Sequence, residues 1–176
     1  NRVQEALDKF PQILSQHPQV ELHLIGSLQR NKVAKVLPVS SCIQSVDRID
    51  LLLEIGKRAA LIGKNMTVLF EMHTGEESKA GFLSVDDLFR ALDTLREYPN
   101  VHCAGLMTMA PFTDNDREIR ASFRKLKQIQ ETCIRAYPQL DFSVLSMGMS
   151  NDYRIAIEEG STMVRIGTAI FGERQT

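Results

Sequence analysis

Two stretches near the carboxyl end of the chain decide the fold: Leu145-Ser146-Met147-Gly148-Met149-Ser150-Asn151-Asp152 and Val164-Arg165-Ile166-Gly167-Thr168-Ala169-Ile170-Phe171-Gly172. Each is a short apolar run that breaks into small, hydrogen-bonding residues. In a parallel α/β barrel the last two strands end side by side, and their loops offer backbone N–H groups and hydroxyls to a phosphate. The two stretches therefore predict a phosphate site, with Arg165 as a fixed positive charge beside it.

Apolar runs and amphipathic segments alternate along the rest of the chain, which indicates a parallel sheet with right-handed crossovers. A capping pattern at Ser84 and Asp87 marks one helix start, and Gly63 and Gly160 mark two helix ends. The predicted strands cover residues 21–25, 42–46, 67–72, 102–107, 142–145 and 163–166. The predicted helices cover residues 3–10, a short stretch after Ser27, 49–60, 85–95, 118–137 and 152–159.

The number of strands predicts a barrel without its first members. A complete eight-stranded barrel usually takes about 250 residues, whereas this chain has 176 and opens with a helical pattern at Asn1. We therefore expect a TIM-type (β/α) barrel that lacks its first strand or strands. No linker or repeat divides residues 1–176, which predicts a single domain.

Composition argues against a nucleic-acid-binding, membrane-spanning or disulfide-bonded protein. The formal net charge is −1, which gives no electrostatic argument for binding nucleic acid or an anionic membrane. The sequence shows neither an apolar run long enough to span a bilayer nor a signal segment. The three cysteines have no disulfide or ligand spacing, which favours buried thiols in a reducing, cytoplasmic compartment. They are Cys42, Cys103 and Cys133.

Arg165 is the most specific site candidate, because a guanidinium in an apolar strand must be paired or face a cavity. Gly167 and Thr168 favour phosphate contact. Ser146 is either a turn former or a phosphate ligand, and Ser150 fits a helix N-cap better than a ligand. Methionines near the predicted strand ends are core residues or an apolar lining for a flat ring; they are Met72, Met107, Met109, Met147 and Met149.

Other polar residues point to no catalytic group and no metal site. The histidines and cysteines lack metal-ligand spacing, and no nucleophile–base arrangement emerges. His73 at a strand end is a candidate for a supporting role, and Lys79 lies in a polar loop that reads as solvated.

These residues resemble the pyridoxal phosphate homeostasis proteins, single-domain relatives of the alanine racemase barrel. The resemblance runs through almost the whole chain, and its combination of motifs is specific. The motifs are Asn1-Arg2-Val3-Gln4-Glu5, His23-Leu24-Ile25-Gly26-Ser27-Leu28-Gln29-Arg30-Asn31-Lys32, Gly75-Glu76-Glu77-Ser78-Lys79-Ala80-Gly81, Gly105-Leu106-Met107-Thr108-Met109, Ser146-Met147-Gly148-Met149-Ser150 and Arg165-Ile166-Gly167-Thr168-Ala169-Ile170-Phe171-Gly172.

The resemblance implies a barrel of the pyridoxal-phosphate fold type III with pyridoxal 5′-phosphate in its mouth. It implies that Ser146, Gly167 and Thr168 hold the phosphate, helped by the backbone amide of Met147, and that Arg165 lies near the pyridine nitrogen. The lysine that forms the Schiff base in such proteins precedes the first motif, so we expect it outside this chain. A chain that starts at Asn1 is then expected to bind the cofactor weakly.

Three functions remain open from the sequence. The first is a non-enzymatic, monomeric protein that binds pyridoxal 5′-phosphate, serves vitamin B6 and amino-acid homeostasis and passes the cofactor to apo-enzymes. The second is an enzyme of the racemase or decarboxylase type, which needs an acid/base group opposite the cofactor. The third is a barrel that binds another phosphorylated metabolite.

Overall fold

Six parallel strands in sequential order, β1 to β6, form one sheet in the computed structural model, which describes residues 2–75 and 80–172. Asn1 and residues 76–79, including Lys79, lie outside the described residues. The strands are β1 His23–Leu24, β2 Cys42–Val46, β3 Met66–Glu71, β4 Val101–Met107, β5 Val144–Met149 and β6 Met163–Arg165. The helices are α1 Val3–Gln16, α2 Arg30–Val36, α3 Ile49–Leu61, α4 Val85–Thr94, α5 Asp116–Ala136, α6 Tyr153–Glu158 and α7 Thr168–Phe171, with a 3₁₀ turn at Leu95–Glu97.

The sheet curls, because side chains on distant strands meet across one of its faces. Gln44 on β2 donates through Nε2 to Sδ of Met163 on β6 at 3.2 Å, although three strands separate these two in the sheet order. The parallel, curled arrangement confirms the predicted barrel-type fold. β1 and β6 are the edges of the sheet formed by the described residues, so these strands do not close a barrel.

Two apolar clusters separate the faces of the sheet. The larger one joins the helices to the convex face, through residues such as Ile43, Phe70, Leu106 and Phe123. The smaller one, Cys42, Leu69 and Met107, contains strand residues alone, which places it on the concave face. Because burial of apolar area drives folding, the helices are held mainly on the convex side and the concave face is left for polar chemistry.

Glycine permits a close approach of two strands at one position. Gly105 on β4 has φ +150°, and a Cβ there would collide with the carbonyl of Val144 on β5. No other residue type fits this site without shifting the β4–β5 pair.

The described helices include none that has both the length and the apolar character needed to cross a membrane.

Two predicted elements differ most from the structure in their limits, and one helix was missed. α1 continues past Pro11 to Gln16; the proline is on the exposed side of the helix. β5 was predicted over 142–145 and instead runs from Val144 to Met149. α7 was not predicted at all.

Candidate functional site

A cleft of about 1120 Å³ opens where β5 and β6 end, and its wall continues into the segment between β4 and α5. Its lining includes His23, Gln44, Met149, Ser150, Arg165, Gly167 and Thr168. In parallel α/β sheets, ligands bind at the carboxyl ends of the strands. The cleft therefore occupies the position at which this architecture places a ligand.

Ser150 ties the two loops of the cleft together. Its hydroxyl accepts hydrogen bonds from the backbone N–H of Gly167 at 3.3 Å and of Ala169 at 3.2 Å. Thr168, between them, begins α7 and also lines the cleft. Two N–H donors thus converge on one oxygen between the ends of β5 and β6, an arrangement that suits an anionic oxygen.

The space beside Gly167 is open, because a Cβ placed there would have no atom within 4 Å. Space beside converging N–H groups is what a phosphate oxygen requires. The two loops meet as the sequence predicted, although the oxygen between them belongs to Ser150.

Arg165 reaches from β6 across the end of β5 to β4. Its Nη1 donates to the carbonyl oxygen and to Oγ of Ser146, both at 2.7 Å, and its Nη2 donates to the carbonyl oxygen of Thr108 at 2.8 Å. These bonds use three of the five N–H groups of the guanidinium. The side chain faces the cleft and is paired, as a charge in an apolar strand requires.

Burial lowers the pKa of Arg165 to about 10, and the nearby carboxylates of Glu71 and Asp152 act in the opposite direction. The guanidinium therefore stays cationic at neutral pH. It can donate hydrogen bonds to a ligand but has no site that accepts a proton.

Ser146 and Met147, both predicted to take part in the phosphate site, do not lie on the surface of the cleft. Both residues are fully buried and neither lines the cleft. The Ser146 hydroxyl donates to Oε1 of Gln44 at 2.6 Å while it accepts from Arg165, and Met147 packs in the helix-side core. Ser146 therefore supports Arg165 within β5, and the contributions of Ser146 and of the Met147 backbone amide to a phosphate site stay predictions.

Ser150 also differs from its prediction as a helix cap. The N-cap residue of α6 is Asp152, whose carboxylate accepts from the N–H of Met149 at 2.5 Å. Ser150 is therefore free to bond the loop after β6. The error has one cause: β5 extends four residues beyond its predicted end, so the strand ends at Met149 and Ser150 is the first residue of the loop.

Glu71 at the end of β3 is a further polar group that the sequence prediction missed. It is 2 % exposed, and its Oε1 has no hydrogen-bond partner. Burial raises its pKa to about 7, the neighbouring Asp47 acts in the same direction, and Arg165 opposes both. A carboxyl group surrounded by an apolar strand pattern was the signal available in the sequence.

The methionines have mostly structural positions. Met72 and Met147 belong to the helix-side core, and Met107 to the concave cluster, against which Met109 packs. Met149 lines the cleft, so the predicted methionine lining holds for this one residue of the five. His73 is half-buried beside β3, outside the lining of the cleft. Among residues 2–75 and 80–172, no group of three or more His, Cys, Asp or Glu has the arrangement of a metal site.

Comparison with known proteins identifies relatives over almost the whole chain. Residues 1–175 match the family "Alanine racemase, N-terminal domain". The chain is 41% identical to the pyridoxal phosphate homeostasis protein of Aquifex aeolicus over 99% of its own length and 75% of the relative's. It is 38% identical to the protein of the same name from Vibrio cholerae, again over 99% of this chain and 74% of the relative.

Solved structures show the same fold. PipY of Synechococcus elongatus, in a structure with pyridoxal phosphate bound, is 34% identical with a TM-score of 0.89 over 98% of this chain and 79% of PipY. Alanine racemase of Clostridium difficile, at 12% identity, aligns with a TM-score of 0.78 over 96% of this chain and 44% of the racemase, a likeness of fold alone.

Proposed function

This chain belongs to the pyridoxal phosphate homeostasis proteins, of the alanine racemase N-terminal domain family, and from that premise we propose that it binds pyridoxal 5′-phosphate without acting as an enzyme. One observation carries the proposal: the hydroxyl of Ser150 collects the N–H groups of Gly167 and Ala169 beside the cationic Arg165. A dianion fits the loops, and an aromatic ring with a nitrogen acceptor fits the guanidinium.

The residues present fit the cofactor in two places. Ser150, Gly167 and Thr168 supply hydroxyls and N–H groups for the phosphate. Arg165 lies on the adjoining strand, with two N–H groups beyond the three that bond to Ser146 and Thr108. We propose that one of them donates to the pyridine nitrogen. Met149 provides an apolar contact at the edge of the cleft.

Arg165 limits the chemistry that the site can support. When bound, pyridoxal 5′-phosphate supplies an aldehyde and a ring that withdraws electrons best when its nitrogen is protonated. A guanidinium with a pKa of about 10 donates a hydrogen bond to that nitrogen and retains its own proton at neutral pH. The site therefore holds the ring nitrogen unprotonated, which weakens carbanion chemistry.

The residues around the cleft support binding of the cofactor rather than catalysis with it. An enzyme of the racemase type needs an acid/base group at the cofactor. The described lining of the cleft includes neither tyrosine nor cysteine, and its histidine, His23, already contacts Gln44 and Glu21. The Tyr137 hydroxyl, outside this lining, donates hydrogen bonds to the carbonyl oxygen of Phe89 and to the carboxylate of Asp93. Burial raises the pKa of each cysteine thiol to about 12. Delivery to apo-enzymes, a monomeric state and a cytoplasmic location belong to the same proposal.

The test is an isothermal calorimetric titration with pyridoxal 5′-phosphate, which measures Kd for the wild type and for Ser150→Ala. Loss of one hydroxyl that bonds the anion is expected to raise Kd about three- to tenfold. Ser143→Ala, an exposed serine before β5, is the matched control and is expected to leave Kd unchanged. Equal affinities for the wild type and Ser150→Ala contradict the phosphate site.

A second measurement separates handling from catalysis. Amino acids are incubated in deuterated water with the chain and the cofactor, and α-proton exchange is followed by NMR. We expect exchange no faster than with the free cofactor. Exchange at an enzymatic rate overturns the non-enzymatic part of the proposal and favours a racemase-type function.

A further inference from the structure

A line of hydrogen bonds crosses the concave face of the sheet beneath Arg165. The Arg165 guanidinium donates to Ser146 Oγ at 2.7 Å, and that hydroxyl donates to Gln44 Oε1 at 2.6 Å. Nε2 of Gln44 lies 2.9 Å from Nδ1 of His23. Nε2 of His23 lies 3.3 Å from a carboxylate oxygen of Glu21. The line thus joins β6, β5, β2 and β1.

The orientation of the Gln44 amide, with Oε1 towards Ser146 and Nε2 towards His23, sets the direction of the bonds in this line. A guanidinium can only donate and an ionised carboxylate can only accept. Ser146 Oγ therefore accepts from Arg165 and gives its own proton to Gln44. The carbonyl of Gln44 faces Ser146, its amide N–H faces His23, and His23 is the neutral tautomer with Nδ1 as acceptor and Nε2 as donor.

The middle of the line is buried, so its bonds are costly to leave unmade. Gln44 is 2 % exposed and Ser146 is fully buried. A buried polar group without a partner loses stability, whereas a complete network holds its members in one arrangement. Gln44 also donates to Met163 Sδ on β6, the strand that carries Arg165. The line therefore fixes where the guanidinium lies.

We propose that Gln44 and His23 are positioning residues for Arg165, acting through Ser146 and requiring the neutral His23 tautomer with Nδ1 unprotonated. The inference deepens the proposed function, because Arg165 is the group assigned there to the cofactor ring. Its first consequence concerns the ligand-free chain alone, since the line is complete without a ligand.

The first test is NMR of the ligand-free chain. In the wild type the two Nη signals of Arg165 are expected to be separate, because bonds to Ser146 and Thr108 restrain rotation, and His23 is expected to show an acceptor Nδ1. In Gln44→Leu the Nη signals are expected to merge. Gln130→Leu removes another buried glutamine, which donates to Phe142 O, and is the matched control. Separate signals in Gln44→Leu, or merged signals in both variants, overturn the proposal.

The second test measures Kd for pyridoxal 5′-phosphate in the same chain. Gln44→Leu and His23→Leu are expected to raise Kd about three- to tenfold, the loss of one organised hydrogen bond. His23→Asn, whose amide oxygen can replace Nδ1 as acceptor, is expected to restore most of the affinity. Unchanged Kd in Gln44→Leu, or no rescue by His23→Asn, contradicts a positioning role.

The two tests fail independently. If the wild type does not bind pyridoxal 5′-phosphate at all, the proposed function is wrong, and the Arg165 signals still decide whether the line positions the guanidinium. If the wild type binds and the Arg165 signals do not respond to Gln44→Leu, the proposed function stands and the positioning role is wrong.

Discussion

The guanidinium of Arg165 and the hydroxyl of Ser146 lie 2.7 Å apart, and the same Nη1 atom lies 2.7 Å from the carbonyl oxygen of Ser146. A side chain on β6 is thereby bound twice to one residue of β5. This relationship places a permanent cation at the mouth of the sheet, one strand away from the loop that carries Ser150.

Ser146→Ala tests whether this pairing supports the cation or only the fold. The substitution leaves Gln44 Oε1 without its donor and removes one acceptor of Arg165, so we expect the free energy of unfolding to fall by about 1–3 kcal/mol. Kd for pyridoxal 5′-phosphate is expected to rise by less than in Arg165→Ala, since the guanidinium itself is still present. Urea denaturation and calorimetry measure the two effects, and a larger affinity loss in Ser146→Ala would assign the phosphate contact to Ser146 after all.

Much of the fold follows from the sequence, because parallel strands buried on both faces produce short apolar runs that are easy to recognise. The end of β5 does not. Ser146 and Gly148 look like loop residues, yet the concave face of a curled sheet needs a polar residue that can pair with Arg165. Gly148 has φ +94° and gives α6 room to approach β5. Periodicity carries no information about such cross-sheet partners, so the sequence alone predicts neither the bond between Arg165 and Ser146 nor the contact of Ser150 with the loop after β6.

Glu71 predicts a dependence of stability on pH. Its folded pKa of about 7 lies above the ordinary value of 4.5, so the folded chain binds more protons than the unfolded chain between these values. Stability therefore falls as pH rises from about 4.5 to 7, by about 3 kcal/mol for this group. Glu71→Gln removes the titrating group, and we expect its stability relative to the wild type to be higher at pH 8 than at pH 5. Urea midpoints at the two pH values measure this, and an equal difference at both excludes the elevated pKa.

Lys64 is expected to stabilise the segment that leads into β2. Its ammonium donates hydrogen bonds to the carbonyl oxygens of Leu37, Pro38 and Ser40 at 2.7–3.0 Å. These three bonds fix the segment between α2 and β2 to Lys64. Lys64→Met keeps the apolar stem and removes the donors, with an expected loss of about 1–3 kcal/mol. Lys57→Met on exposed α3 surface is the control. Hydrogen exchange should accelerate in residues 37–41 alone, and unchanged exchange there would show that these bonds contribute nothing.

Alanine substitutions at Gly105 and Gly63 distinguish the cost of steric crowding from the cost of a positive φ. Both have positive φ, but a Cβ at Gly105 meets the Val144 carbonyl, whereas one at Gly63 meets nothing within 4 Å. We expect Gly63→Ala to cost about 1–2 kcal/mol and Gly105→Ala to cost clearly more, because the β4–β5 pair must shift. Thermal unfolding compares the two, and similar melting temperatures would show that the strands give way easily.

Lysine chemistry provides a further prediction. The described residues that line the cleft include no lysine. Borohydride treatment of the 176-residue chain with pyridoxal 5′-phosphate should therefore leave no stoichiometric adduct on a described lysine, as peptide mass spectrometry would measure. A full adduct on one of them would show that the cofactor lies elsewhere than in the cleft.

The most direct measurement of the central claim is an amide NMR titration of the chain with pyridoxal 5′-phosphate. We predict that the backbone signals of Ser150, Gly167, Thr168 and Ala169 shift together and saturably, and that inorganic phosphate shifts the same four at higher concentration. Binding that leaves these four signals in place, while signals elsewhere move, would contradict the assignment of the phosphate to the ends of β5 and β6.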